Sequence, residues 1–279
     1  MRDRLSLACL LLAVVWLPRA HAAPLATVPL SRQAPAIDGK LSPGEWDQAA
    51  GLGLFTVKGA LATEQPEVYL ACDGRTFFVG ARFPLPQGAK PVAVARARDG
   101  ALWEDDALEV FLSGGDDAAP YHQFIVNAAN SHYEGERQNA AWQGEWTSAT
   151  FVGVGFWSLE MAIPLSTLKA SAADGQTWRA NFAWDCKTPS TQMATWAAVS
   201  SSLHETSTFG QLTFNSAAPA VQLFGPRLLP DGKLQFTGRA SGPATGKVVL
   251  SRKAGNDVQT VAEEKAELGP GGSTLTVAV

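Results

Sequence analysis

Short runs of alternating apolar and polar residues, punctuated by Asp, Gly and Asn, constrain this chain more than any other feature. Glu67 to Cys72 and Thr76 to Phe83 flank the turn pair Asp73-Gly74. Further strand-like runs cover Val92 to Arg98, Ala107 to Leu112, Tyr121 to Ala128, Thr150 to Val154, Trp157 to Ile163, Trp178 to Asp185, Ala194 to Val199 and Gln211 to Phe214. Alternate residues of a strand face opposite sides, so each run offers one apolar face to a core. Many short strands of this kind predict an all-β fold, an antiparallel β-sandwich with short helical turns. One such turn starts at Ser42-Pro43-Gly44-Glu45, where Ser42 and Glu45 form a capping box that carries Trp46 inward. Pro164 to Lys169 reads as another.

The first 22 residues read as an export signal: Arg2 and Arg4, an apolar run from Leu5 to Leu17, and the small residues Ala20 and Ala22 before the cut. The apolar run is shorter than the about 20 residues of a membrane span, and no second one follows. The expected location is therefore secreted or periplasmic. Cleavage removes three arginines and one aspartate, moving the formal charge from −4 to −6. A mildly acidic chain without Lys/Arg clusters argues against nucleic acid and anionic membrane as partners. Cys72 and Cys186 remain; one disulfide is compatible with export, but both end strands before turns and are expected to be unbonded.

Asn215 to Pro219 reads as a linker, giving a 23–216 sandwich and a 217–279 β unit. The second unit has strand-like pieces at Val221 to Phe224, Lys233 to Arg239, Lys247 to Ser251, Val258 to Ala262 and Ser273 to Val279. It is shorter than the roughly 100 residues of a complete immunoglobulin-like sandwich, so a partial sheet is expected.

Alternation sorts the middle strands into faces. Leu108, Val110 and Leu112 share one side with Phe124 and Val126, which reads as core. Glu109, Gln123 and Asn127 fall on the other, joined by Arg179, Asn181 and Asp185 opposite Phe182 and Trp184. Such a face binds a polar ligand or is simply solvated. Eight tryptophans survive signal cleavage. Trp46, Trp157, Trp178 and Trp184 alternate into the core, whereas Trp103 precedes Glu104-Asp105-Asp106 in a loop beside the polar face. Sugars stack their C–H faces on such rings while amides and carboxylates take their hydroxyls.

Several segments recur in one order: Ile37-Asp38-Gly39 with Trp46, Trp103 to Leu112 (WEDDALEVFL), Gln123 to Asn127 (QFIVN), Trp157 to Pro164, and Phe209 to Leu212. Over residues 28 to 214 the chain resembles family 9 carbohydrate-binding modules, of the DOMON-like superfamily. The resemblance implies a secreted, non-catalytic protein that binds oligo- or polysaccharide, stands alone or accompanies a glycoside hydrolase in a longer assembly, and holds structural calcium. It implies Trp103 as one aromatic clamp and Glu109 and Asn127 as edge ligands, with Gln123 beside them. The second clamp does not carry over: Ser200 to Thr208 holds His204 but no Trp, Tyr or Phe, and Trp196 lies just before. Asp105 and Asp106, with Asp73, Asp116 and Asp117, offer oxygens of the kind calcium takes, although turn capping accounts for the same residues. Three other readings are open: a structural or protein-binding sandwich that binds no sugar, a hydrolase pairing Glu109 with Asp105, Asp106 or Glu160, and a haem domain using Met161, Met193 or a histidine.

Overall fold

Alternation produces two sheets packed face to face in the computed structural model, which describes residues 23–31, 33–115, 120–199, 201–254 and 257–278. The signal segment lies outside the described residues. Strand β1 (Leu25–Pro29) leads into β2 (Ala50–Leu52), β3 (Thr56–Val57) and β4 (Ala60–Leu61), then the hairpin β5 (Glu67–Cys72) and β6 (Thr76–Pro84). Next come β7 (Ala107–Ser113), β8 (His122–Asn127), β9 (His132–Glu136), β10 (Thr147–Gly153) and β11 (Phe156–Pro164). The central part ends with β12 (Thr177–Cys186), β13 (Gln192–Thr195) and β14 (Gly210–Asn215). Strands β15 (Val221–Leu228), β16 (Lys233–Ala240), β17 (Ala244–Ala254), β18 (Asp257–Leu268) and β19 (Ser273–Ala278) follow.

The first sheet runs β4-β3-β13-β12-β7-β8-β9, with β14 against β12 and β1 parallel to β14. The second runs β10-β11-β6-β5-β2-β15-β16-β19, and β17–β18 form a separate ribbon. Between the sheets lies the main core. Leu108, Val110, Leu112, Phe124, Val126 and Phe182 from one side meet Phe77, Val79, Leu159, Met161 and Ile163 from the other. Phe83 stacks on Trp157 at 4.2 Å and reaches across to Trp184 at 5.4 Å, which knits the layers together. Burying each such ring contributes about 1.5–3 kcal/mol. Met161 is packed in this core, where the alternation put it. Cys72 and Cys186 are both buried and unbonded.

On the outer side of the second sheet, Glu160 accepts hydrogen bonds from the N–H groups of Asp38 and Gly39 (3.0 and 2.9 Å) and from Trp46 Nε1 (3.0 Å). This carboxylate straps the Ile37-Asp38-Gly39 turn and Trp46 onto the sheet. Gly39 has φ +84°, and a Cβ there would lie 2.5 Å from the Thr150 backbone, so only glycine fits. Trp46 is thus buried in a satellite cluster with Ala49, Ala71 and Phe78, outside the main core. The expected helix at Ser42 is a series of turns, with Ser42 N–H donating to Glu45 at 3.1 Å.

The strands after Pro219 join the second sheet through one parallel pairing, Gln222 against Gly51. Gln222 is buried and donates to the Trp46 and Ala49 carbonyls at 2.7 and 2.9 Å. The close approach depends on glycine, since a Cβ on Gly51 would sit 2.8 Å from Gln222 Cβ. Gly51→Val should therefore push β15 away at a cost of about 1–3 kcal/mol. Hydrogen exchange should show lost protection in β15 and β16; unchanged protection there would remove this account of the junction.

Candidate functional site

The outer face of the first sheet is a grid set by register. Ala183, Glu109, Ile125 and Tyr133 lie side by side across β12, β7, β8 and β9. One row below are Asn181, Phe111, Gln123 and Gly135, and one row above are Asp185, Ala107 and Asn127. The alternation therefore placed Glu109, Gln123 and Asn127 on the correct face. It did not show that the face is covered: all three are buried.

The cover is the segment 92–106. Val92 to Arg98 is not a strand, contrary to its pattern. Its backbone donors are taken by side chains instead of by a neighbouring strand. Asp105 accepts from the N–H groups of Val94 (2.8 Å) and Ala95 (2.9 Å) and from Asn127 Nδ2 (2.8 Å). Asp106 accepts from the N–H groups of Val92 (2.7 Å), Lys187 (2.7 Å) and Thr188 (3.2 Å). These bonds lay the loop over the sheet. A 3-10 turn at Leu102–Glu104 then drives Leu102 into a small cluster with Ala107 and Ile125 and turns Trp103 outward.

Trp103 is 45 % exposed and stands edge-on to Tyr133, with ring centroids 6.0 Å apart. Tyr133 shares the cross-strand row of Glu109, so the two rings wall one end of the polar patch. At the other end Phe111, Tyr121 and Phe209 cluster, and His204 packs its edge on Phe111 while its Nδ1 pairs with the Tyr121 hydroxyl at 2.9 Å. Burial pushes the His204 pKa down, which keeps the ring neutral and free to pair with the phenol.

Between these walls Glu109 and Asp185 are each 4 % exposed. Gln123 Nε2 donates to Glu109 Oε2 at 2.5 Å, and Asp185 is the diagonal neighbour of Glu109 on the adjacent strand. Burial raises the pKa of both, and the Glu109 charge pushes Asp185 further, to about 9. Hydrogen bonds from Asp185 and Gln123 partly offset the shift on Glu109. Asp185 and Tyr133 were not singled out from sequence. Asp185 carried a weak signal as a carboxylate alternating onto the polar face; Tyr133 carried none, because its short strand has no clear alternation.

Three expectations need correction. Asn127 has no capacity left for a ligand: its Nδ2 donates to Ala95 O and Asp105, and its Oδ1 accepts from Ala129 and Ser131 N–H. It holds the loop in place of a sugar edge. Trp196 is 6 % exposed and belongs to the main core, packed on Phe182 and against Gly210, where a Cβ would lie 2.3 Å from the indole. It is no second platform. Asp105 and Asp106 do not fit calcium, because N–H donors point at their oxygens where a cation would have to sit. Asp73 likewise caps its own turn through Arg75 and Thr76 N–H. Asp116 and Asp117 lie outside the described residues, and among the described residues no group of three or more His, Cys, Asp or Glu could hold a metal.

The hydrolase arrangement also lacks its geometry. Of the partners expected for Glu109, Glu160 is on the other sheet, and Asp105 and Asp106 are taken up by backbone N–H groups of the loop and of Lys187. A shallow depression of about 150 Å³ on the second sheet is lined by Gln65, Glu67, Arg82 and Phe156. Its Gln65 amide is spent on Phe55 and Ala62, and Arg82 lies over the Phe156 ring at 3.7 Å. Among the described residues no helix is long and apolar enough to cross a membrane.

Three solved structures share the fold. A Bacteroides uniformis ATCC 8492 protein named as a candidate carbohydrate binder aligns at TM-score 0.55 and 20% identity, over 70% of this chain and 100% of its own. A family 9 carbohydrate-binding module from Caldicellulosiruptor kristjanssonii was solved with cellotriose and with glucose. These align at TM-scores 0.52 and 0.53 and identities of 15% and 16%, over 70% of this chain and 94% and 97% of theirs. No curated protein matches the chain. The family model described as "Carbohydrate family 9 binding domain-like" matches residues 37–217, which contain every element of the face described above, and the chain belongs to that family.

Proposed function

We propose that this is an exported, non-catalytic protein that binds a carbohydrate at the end of the face walled by Trp103 and Tyr133. The observation that carries the reading is Trp103 itself. It is held half-exposed by a loop whose every anchor is buried, beside an amide and two carboxyls that lack any other evident ligand. A pyranose stacks on the indole, and the Tyr133 edge limits its sideways movement. Glu109 and Gln123, 4 % and 5 % exposed, can meet a hydroxyl only at the margin of the covering loop, and Lys187 acts electrostatically on the same carboxyls. His204 and Tyr121 take the position at which a second stacking ring would be needed. A polar pair there restrains a sugar less than a second indole does, so affinity is expected to be modest. A neutral oligosaccharide fits best, since the patch carries carboxyls and the chain is acidic. The related modules bound to cellotriose and glucose support a glucan as the first ligand to try. The protein then serves as a targeting partner for carbohydrate breakdown, alone or beside a glycoside hydrolase.

Isothermal titration with cellotriose, glucose and a panel of other oligosaccharides tests the reading. Saturable binding of at least one neutral oligosaccharide is expected, unchanged by EDTA. A protein that binds none of them while remaining folded rules the proposal out.

A further inference from the structure

We infer that Asp185 is a positioning residue of this site: it holds a proton at neutral pH, donates it to Glu109, and so links ligand binding to protonation. This inference rests on the sugar-binding reading, but the proton itself can be tested without a sugar.

Geometry comes first. Glu109 lies opposite Ala183, and Asp185 lies opposite Ala107, so the two carboxyls are diagonal neighbours on adjacent strands. The alanines leave room for the two side chains to approach, and two ionised carboxylates buried side by side repel each other unless they share a proton. Asp185 Oδ2 is fully buried and has no donor from another protein group. A proton held between the two carboxyls removes that deficit.

Charge balance agrees. Lys187 is the cation acting on the pair, while Asp106 adds a further negative charge from the start of β7. On the β9 side, Tyr133 shares the cross-strand row of Glu109, and burial, then the charges of Asp99 and Glu109, raise its pKa and keep the phenol neutral. One half-buried lysine against three carboxyls does not stabilise two adjacent buried anions. The proton belongs on Asp185 rather than Glu109 because Gln123 donates to Glu109 and favours its ionised form, whereas no amide donor reaches Asp185 Oδ2.

The pair works as a unit. Gln123 on one side and the Asp185 proton on the other stop the Glu109 carboxylate from rotating, and its remaining lone pairs are fixed for ligand hydroxyls. Loss of the proton sets two anions against each other and frees Glu109 to turn away. Since the ligand-binding form carries one proton on the pair, affinity is highest around neutral pH and falls as pH rises through the upper value of the pair, about tenfold per further pH unit.

Carboxyl ¹³C NMR titration of the unliganded chain and cellotriose calorimetry over the same pH range test this, on wild type, Asp185→Asn and Asp185→Ala. One carboxyl of the pair should titrate far above the ordinary range of about 4, and its signal should vanish in Asp185→Asn. Asp185→Ala should weaken cellotriose binding at every pH. Asp185→Asn, whose amide still donates to Glu109, should recover most of that loss and show no alkaline fall. Ordinary titration of both carboxyls in the wild type overturns the inference. So does an alkaline fall that persists in Asp185→Asn, or full affinity in Asp185→Ala. If the wild type bears the raised carboxyl but binds no cellotriose at any pH, the shared proton stands and the glucan-positioning role is overturned.

Discussion

Trp103→Ala is expected to weaken glycan binding by at least about 2 kcal/mol, roughly 30-fold, with little change in melting temperature. The two effects separate because of how the loop is built. Leu102 supplies its apolar anchor, and Asp105 and Asp106 supply its polar ones; Trp103 meets Tyr133 edge-on and stays 45 % exposed. Truncating the indole removes the stacking surface and leaves the anchors intact. Its main loss of packing is the edge contact with Tyr133, worth about 0.5–1.5 kcal/mol. Binding calorimetry beside thermal unfolding reads both quantities. A large fall in melting temperature with affinity retained would make Trp103 a structural residue, and the stacking reading would be lost.

Asp106→Ala should do the opposite and act mainly on stability. This carboxylate accepts three backbone N–H bonds from two separate segments, at Val92 and at Lys187-Thr188. Its removal leaves those donors without an acceptor in a covered region, at a cost of about 3–5 kcal/mol. For a domain of this size that lowers the melting temperature by on the order of 10 °C. One effect works in the other direction: Asp106 contributes to the raised pKa of Asp185, so its loss relieves part of the charge crowding. Glycan binding should fall as well, because the loop that presents Trp103 is released. Calcium and EDTA should leave the wild-type melting temperature unchanged. A calcium-dependent rise that Asp106→Ala abolishes would mean that the aspartate holds a cation and not the backbone.

Much of this site was legible before any coordinates. Glu109 alternates against Leu108 and Val110, so its face follows from strand geometry once the segment is recognised as a strand. Trp103, next to three acidic residues, could not belong to an apolar run, and its exposure follows from that. The resemblance carried by WEDDALEVFL identified the family. The core tryptophans Trp157, Trp178 and Trp184 were equally plain, since each alternates with other large apolar residues.

What alternation reports is the side of its own strand on which a residue points; it says nothing of what lies over that side. For this reason Glu109, Gln123 and Asn127 were expected to be open and are covered. Their cover is a loop whose shape is set by Asp105 and Asp106 reaching backbone donors up to 82 residues away. Val92 to Arg98 has the composition of a strand, but those side chains captured its N–H groups before a neighbouring strand could. Trp196 lies at the end of a strand, where its pattern is weakest, and the contact with Gly210 across β14 drew it into the core. The pairing of Glu109 with Asp185, 76 positions apart, depends on the register of β7 against β12 and on two alanines that leave space between them. The sequence by itself determined the strands, the faces and the family. The tertiary structure decided which polar groups are spent on the fold and which remain for a ligand, because those hydrogen bonds join segments that no local pattern connects.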